Sequence, residues 1–299
     1  MKVNRSKNLI SGSISIDQII NIYGTYNDVL GGSAPYALYA TKQKSSSIVG
    51  VIGTDFADHH FQDLKNQSQN MDNVSVFEGT TFCWGGKYAS DFSYRVTNYV
   101  RPGISDDHFP KVCESDLSPE FLLLGNCSPH LQLDLLNQIK SEPFIILDTF
   151  KLYIETTNKD LKKVIPHADI LSINLNEARA LSGINKGSVQ EMGKIILDLG
   201  CKSLIIKQAE HGAFYISEKE SFSIPSYPVK KLIDPTGAGD SFAGGMLDAL
   251  SQGKPLIESM CWGSTIASFC IESVGIEGLK NLEEEKIQER MLFFEGLLS

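Results

Sequence analysis

Between residues 121 and 207, short apolar runs alternate with stretches of helical pattern. That alternation limits the fold more sharply than any other property of the chain. Residues 121–125, 144–148, 168–174 and 203–207 read as strands, for example Phe144-Ile145-Ile146-Leu147-Asp148. A strand that is apolar at nearly every position is buried on both faces, whereas a half-exposed strand alternates. Helices are expected at 131–140, 160–165, 177–181 and 189–199. Repetition of strand and helix in this way produces a parallel sheet covered on both faces. The predicted fold class is α/β, a doubly wound and mostly parallel sheet.

The flanking segments extend this pattern. Residues 8–17 read as one strand, 23–30 as a short strand or loop ending at Gly31-Gly32, and 47–53 as a buried strand. Ser33 is expected to cap a helix carrying Ala34, Ala37, Leu38 and Ala40, and Asp55 to cap another that runs to about residue 69. Residues 74–100 have a different character. Thr80-Thr81-Phe82-Cys83-Trp84-Gly85-Gly86-Lys87-Tyr88 and Phe92-Ser93-Tyr94-Arg95-Val96-Thr97-Asn98-Tyr99-Val100 mix aromatic, β-branched and polar residues. They predict an antiparallel hairpin in a small sheet attached to the main body. A second hairpin is expected at 214–224. Helices should follow at about 237–251, 256–273 and 283–297, the last amphipathic and placed to seal the sheet. No repeat, low-complexity tract or linker divides the chain.

The chemistry concentrates in Leu232-Ile233-Asp234-Pro235-Thr236-Gly237-Ala238-Gly239-Asp240-Ser241-Phe242-Ala243-Gly244-Gly245. Pro235 ends the preceding extended segment. Gly237 and Gly239 leave backbone N–H groups uncovered where a helix begins, so the positive end of the helix dipole and free donors converge on one spot. Such a spot suits an anion, phosphate above all. A carboxylate beside it, Asp240, suits a base that takes a proton from a nucleophile. The stretch is not a Walker A loop, and Phe242 stands where G-x-G-x-x-G would need its third glycine.

Composition excludes several functions. The 299 residues carry a net charge of −9, whereas a nucleic-acid binder of this size is usually basic. The six cysteines form no C-x-x-C pair and read as buried free thiols rather than disulfides or a zinc site. His59-His60 reads as an exposed helix face. The basic start, Met1-Lys2-Val3-Asn4-Arg5-Ser6-Lys7, leads only into a short strand. No signal peptide, membrane span or membrane partner is expected, and the localisation expected is cytoplasmic.

Asp234 to Phe242 resembles the C-terminal signature of the ribokinase-like (PfkB) family of carbohydrate and nucleoside kinases. Gly31-Gly32-Ser33-Ala34 is similar to the family's N-terminal glycine pair, and Val49-Gly50-Val51-Ile52-Gly53-Thr54-Asp55-Phe56 to the segment after it. Asn174-Leu175-Asn176-Glu177 is similar to its N-x-x-E motif. Four motifs in order span nearly the whole chain. The resemblance implies a single kinase domain over 1–299, with a small β lid formed by about 12–32 and 78–104.

It also implies transfer of the ATP γ-phosphoryl to a hydroxyl of a sugar or sugar derivative, or, as the alternative, of a nucleoside. Asp240 would be the base, and Gly237, Ala238, Gly239 and Asp240 the anion hole. Asn174 and Glu177 would organise Mg²⁺ near the nucleotide, with Lys207 and Gly212 as further nucleotide contacts. Asp234 and Thr236 match positions that bind a monovalent cation such as K⁺ in some members. Asp17, Gly31 and Gly32 would contact substrate hydroxyls. Tyr36 stands where many sugar kinases of the family carry a substrate-binding asparagine, which leaves ribose or fructose specificity open. Trp84, Tyr88 and Tyr94 would close over a ring-shaped substrate or join lids in a homodimer. Asp148, at a strand end, would face a ligand or cap the next turn, and Gly275 would contact nucleotide or cation or end a helix. A non-catalytic sensor on a kinase fold is the reading from another functional class.

Overall fold

The computed structural model describes residues 6–42, 44–106 and 108–298; the basic run Met1 to Arg5 lies outside the described residues. The N-terminal segment is two strands rather than the single one expected. β1 (Asn8–Ser11) belongs to the main sheet and β2 (Ser15–Asn21) to the small one. The alternation of apolar residues continues across the break, which hides it in the sequence. At the break the Ser13 N–H and hydroxyl engage the Ser33 hydroxyl. β3 (Gly24–Gly31) returns antiparallel to β2.

Helix α1 (Ser33–Ala40) starts one residue earlier than expected. Gly32, at φ 92°, is its N-cap, and Ser33 makes no capping bond. β4 (Ser46–Gly53) is buried throughout, and α2 (Asp58–Gln67) follows. Asp55 does not cap α2, because its carboxylate accepts the Thr81 N–H at 2.7 Å and the Thr81 hydroxyl at 2.8 Å. After β5 (Val74–Phe77) come β6 (Phe82–Tyr88) and β7 (Arg95–Arg101), which form the expected antiparallel hairpin.

The remaining elements follow the predicted alternation with small shifts of their ends: β8 (Phe121–Leu124), α3 (Pro129–Gln138), β9 (Phe144–Leu147), α4 (Lys151–Thr156), α5 (Asn158–Val164), β10 (Ile170–Asn174), α6 (Leu175–Ser182), α7 (Val189–Leu197) and β11 (Ser203–Lys207). The hairpin β12 (Ala213–Ser217) and β13 (Ser221–Ile224) leads to α8 (Ala238–Ser251), α9 (Leu256–Cys270) and α10 (Glu284–Met291).

The main sheet has the order β13-β12-β11-β10-β9-β8-β1-β4-β5, parallel from β11 to β5, with β12 and β13 antiparallel at one edge. The small sheet, β3-β2-β6-β7, is mixed, since β2 runs parallel to β6. It is built from the segments in which the small β lid is expected.

Each parallel strand sends alternate side chains to opposite faces. Ile10 and Leu123 join Leu38, Met246 and Trp262 on one side, while Leu9, Leu122 and Leu124 join Leu161, Ile173 and Ile196 on the other. On the first side α8 packs against both α1 and α9 at close range. A Cβ on Gly244 would lie 2.2 Å from the Ala37 carbonyl oxygen, and one on Gly263 would lie 2.6 Å from that of Phe242. Helix α10 packs on α9 rather than sealing the sheet, with its Ile287 and Met291, and Phe294 in the turn that follows, buried in the same core cluster.

Candidate active site

The parallel strands end together, and ligand sites in open α/β sheets lie at those carboxyl ends. Asp148 follows β9, Asn174 ends β10 and Lys207 ends β11. The start of α8 faces them. Gly237 is the N-cap of α8 at φ 75°, a left-handed conformation that costs glycine nothing. A Cβ there would lie 2.2 Å from the ring of Tyr36. Gly239 faces Lys207, and a Cβ on it would come within 3.1 Å of the ammonium nitrogen. The two glycines therefore keep the space between the α8 N-terminus and Lys207 clear.

Lys207 is not the surface lysine its position in a loop-flanking strand would allow. Its ammonium donates to Asp148 Oδ2 at 2.8 Å, with 15% of the lysine side chain and 8% of the aspartate side chain exposed. Burial alone would lower the Lys207 pKa, but the carboxylates of Asp148, Glu177 and Asp240 outweigh it and raise the pKa. Asp148 does not cap α4, whose N-cap is Phe150; its other oxygen accepts the Thr149 N–H at 2.7 Å.

Asp240 keeps an edge toward solvent, yet protein surrounds it on its other sides. That desolvation, with Asp148 nearby, pushes its carboxyl up from the ordinary range despite Lys207. Burial and Asp148 raise Glu177 in the same way. Three carboxyl groups thus share one lysine, and the local charge is net negative.

Asn174 and Glu177 form a capping box on α6. Asn174 Oδ1 accepts the N–H groups of Asn176 and Glu177 at 2.9 and 3.0 Å, and Glu177 Oε2 accepts the Asn174 N–H at 2.8 Å. One oxygen of each side chain is thereby committed to the helix. Gly212 closes the turn between β11 and β12, its carbonyl accepting the Gln208 N–H at 2.7 Å. At φ 89°, a Cβ there would strike the Ile224 carbonyl oxygen at 2.0 Å.

Asp234 is fully buried. Its carboxylate accepts the Thr236 N–H at 3.0 Å and the Gly275 N–H at 3.1 Å. Desolvation raises its pKa, and those hydrogen bonds oppose the shift. Gly275 lies beyond the end of α9 rather than at its C-cap, which is Ile271.

On the lid side, Asp17 is buried and accepts the Ser15 hydroxyl at 2.7 Å. Burial pushes its carboxyl up to about 7. A Cβ on Gly31 would lie 2.0 Å from Asp17 Oδ2, so only glycine fits there. Gly32 turns the chain into α1. Tyr36 is 1% exposed and its hydroxyl has no hydrogen-bond partner among the described residues. Tyr88 is buried with its hydroxyl 2.7 Å from that of Thr236, and this contact joins lid to body. Tyr94 is 64% exposed, so only Trp84 and Tyr88 of the three lid aromatics turn inward.

Sequence reasoning missed Arg95. Its guanidinium lies 4.6 Å from the Trp84 ring centroid and 5.9 Å from that of Phe150, near both a lid ring and a body ring. It is close enough to lower the pKa of Asp17 and Asp240. A charge in an exposed hairpin reads as solvated, so the sequence offers no signal for it.

A model of the pfkB family carbohydrate kinases matches residues 6–281. The chain belongs to that family. Among pfkB relatives, it is 28% identical over 267 residues to a cytidine kinase of Thermococcus kodakarensis, covering 85% of this chain and 92% of that protein. The fold is similar to that of a nucleoside kinase from Burkholderia thailandensis in complex with inosine, with a TM-score of 0.79, 19% identity and coverage of 97% and 99% of the two chains. It is also similar to the ribokinase of Arabidopsis thaliana complexed with ribose and ATP, with a TM-score of 0.74, 18% identity and coverage of 96% and 99%. Among the described residues, no helix is long and apolar enough to cross a membrane. The six cysteines are free, with Cys201, Cys261 and Cys270 buried and Cys83, Cys113 and Cys127 partly so.

Proposed function

We propose that this pfkB kinase transfers the γ-phosphoryl of ATP to a hydroxyl of a nucleoside, with Asp240 as the base. The observation that carries the reading is the Gly237–Asp240 turn. A left-handed glycine opens the N-terminus of α8 toward Lys207, and a desolvated carboxyl sits in its first turn. Phosphoryl transfer needs positioning and charge stabilisation more than covalent help. The N–H groups of Gly237, Ala238, Gly239 and Asp240 supply the charge stabilisation in this account. A desolvated carboxylate with raised basicity accepts the hydroxyl proton.

The residues present fit Mg²⁺ and ATP. Asp148, Glu177 and Asp240 outnumber Lys207, and the resulting excess of negative charge on hard oxygen donors is what a divalent cation relieves. Glu177 and Asn174 would hold Mg²⁺ and its waters, and Lys207 the nucleotide phosphates, with Gly212 shaping the adjoining turn. When bound, Mg²⁺ and ATP supply an electrophilic phosphoryl group with part of its charge neutralised. Asp234 is a buried carboxylate with no ammonium or guanidinium bonded to it among the described residues, so it and Thr236 fit a monovalent cation such as K⁺.

The nucleoside preference rests on the lid. Trp84 and Phe150 both offer ring faces near Arg95, and Tyr36, packed on Gly237, cannot fork onto two sugar hydroxyls as an amide does. The relatedness to a cytidine kinase favours the same class. Asp17 and Gly31 remain to contact the ribose hydroxyls. The test is ADP formation with cytidine, inosine and adenosine against ribose and fructose. A nucleoside should exceed the free sugars in kcat/KM by at least about 10²-fold, given that a hydrogen-bonding site rejects a ligand lacking its partner groups by 10⁴ or more. Greater turnover of a free sugar would overturn the acceptor class. Calorimetric binding of nucleoside without turnover would favour the non-catalytic reading.

A further inference from the structure

We propose that Asp28, His59 and His60 form a binding site for a divalent transition-metal ion of the zinc type, which fastens the lid strand β3 to the body helix α2. The site is distinct from the proposed kinase centre and rests on none of its assignments.

The lid strand is built to present Asp28. Asp17 pairs with Val29, but Ile19 pairs with Tyr26, so β3 carries one residue more than β2 between these pairs. Such a bulge re-aims a side chain. Asp28 sits in it with φ 55°, in the left-handed region. On the body side, His59 and His60 lie in the first turn of α2. Contrary to the sequence expectation, His60 is buried rather than exposed.

Both imidazoles aim Nε2 at the one carboxylate. His60 Nε2 is 3.1 Å from Asp28 Oδ1, and His59 Nε2 is 3.5 Å from Asp28 Oδ2. One ligand atom from each of the three residues lies within 4.8 Å of the other two. A tetrahedral ion with bonds of about 2.0–2.1 Å places its donors about 3.3 Å apart, and each imidazole already lies near that distance from one oxygen of the Asp28 carboxylate, His60 from Oδ1 and His59 from Oδ2. Bringing both imidazoles onto one carboxylate oxygen needs a small shift, which the exposed His59 can make.

A hydrogen-bonded latch would need one histidine. Here a second packs beside the first, with ring centroids 3.9 Å apart and the ring planes inclined at 43°. Two imidazoles and one carboxylate prefer Zn²⁺, Co²⁺ or Ni²⁺ to Mg²⁺ or Ca²⁺. Lys280, which lines the same cavity as Asp28 and His60, is paired with Asp63 and Glu277 at 2.8 Å each, so its charge is offset. His60 Nδ1 has no partner among the described residues, so no outer hydrogen bond fixes the ring. Affinity should accordingly fall 10- to 100-fold below that of a fully supported site, in the micromolar range. β3 runs directly into Gly31, so the ion would tether the strand that leads to the substrate end of the lid.

The test is titration of chelator-treated full-length protein with Co²⁺, read by its visible absorption, followed by displacement with Zn²⁺. One equivalent should bind, and Zn²⁺ should raise the thermal midpoint. Asp28→Asn, chosen because asparagine tolerates the left-handed conformation, and His59→Ala should each weaken binding at least about 10-fold, with the metal-free midpoint unchanged. Absence of stoichiometric binding would overturn the site. So would binding that survives in the Asp28→Asn/His59→Ala double variant, which would assign the ion to the free cysteines.

Discussion

The hydroxyl of Tyr88, on the lid, lies 2.7 Å from the hydroxyl of Thr236, in the turn that leads into α8. This buried contact connects the sheet over the cleft to the residues that begin the candidate anion site. Removing it in Tyr88→Phe takes away one hydrogen bond worth about 1 kcal/mol, so KM for the acceptor should rise roughly fivefold while kcat changes little. Steady-state kinetics separate the two. An equal fall in kcat with KM unchanged would place the contact in the chemical step instead.

Gly237 is constrained twice. Gly237→Ala must accommodate a Cβ 2.2 Å from the Tyr36 ring and also hold φ 75°. The variant should lose more than about 1 kcal/mol of stability, measured by urea unfolding, and most of its activity. Adding Tyr36→Leu removes the clash but not the backbone strain, so rescue should be partial. Complete rescue would show that the left-handed conformation is dispensable.

Lys207 and Asp148 form a buried pair. Lys207→Met leaves a carboxylate without its partner and should cost about 3–5 kcal/mol, as should other changes that break one side of such a pair. Lys207→Met with Asp148→Leu should recover much of that stability while remaining inactive. Additive losses would deny the coupling.

Asp17 should make stability depend on pH. Its carboxyl has an ordinary value of 3.8 and is pushed up to about 7 in the fold by burial. Folding therefore disfavours its ionised form. The penalty is absent below about 4, where both states are protonated, grows as pH rises, and is complete above 7. Asp17→Asn should be more stable than the parent at pH 8, by an amount on the order of a few kcal/mol, and the difference should vanish near pH 4. Chemical denaturation at both pH values checks this. A difference that grows toward low pH would reverse the assignment.

The main sheet was legible because parallel strands such as Phe144–Leu147 and Ser203–Lys207 are buried on both faces and contain few polar residues. The turn at Gly237 and Asp240 was legible because its residue types serve one local purpose. The break between β1 and β2 was not, since apolar alternation runs through it and only the tertiary pairing of each half separates them. Ser33 and Asp55 look like helix caps in the sequence, but the Ser33 hydroxyl turns to the Asn126 carbonyl and the Asp55 carboxylate to Thr81. His60 and Arg95 were misread or missed for one reason. What a polar residue meets is decided by other parts of the chain, here β3, whose Asp28 meets the buried His60, and the Trp84 and Phe150 rings close to the exposed Arg95.

The account depends most on Asp240. The direct measurement is kcat of Asp240→Asn with saturating Mg²⁺–ATP and the best nucleoside, with nucleoside and ATP affinities measured alongside by calorimetry. Loss of a general base costs about 10²–10⁴-fold, so kcat should fall by that factor while both ligands still bind. Turnover within about tenfold of the parent would contradict the assignment of the base.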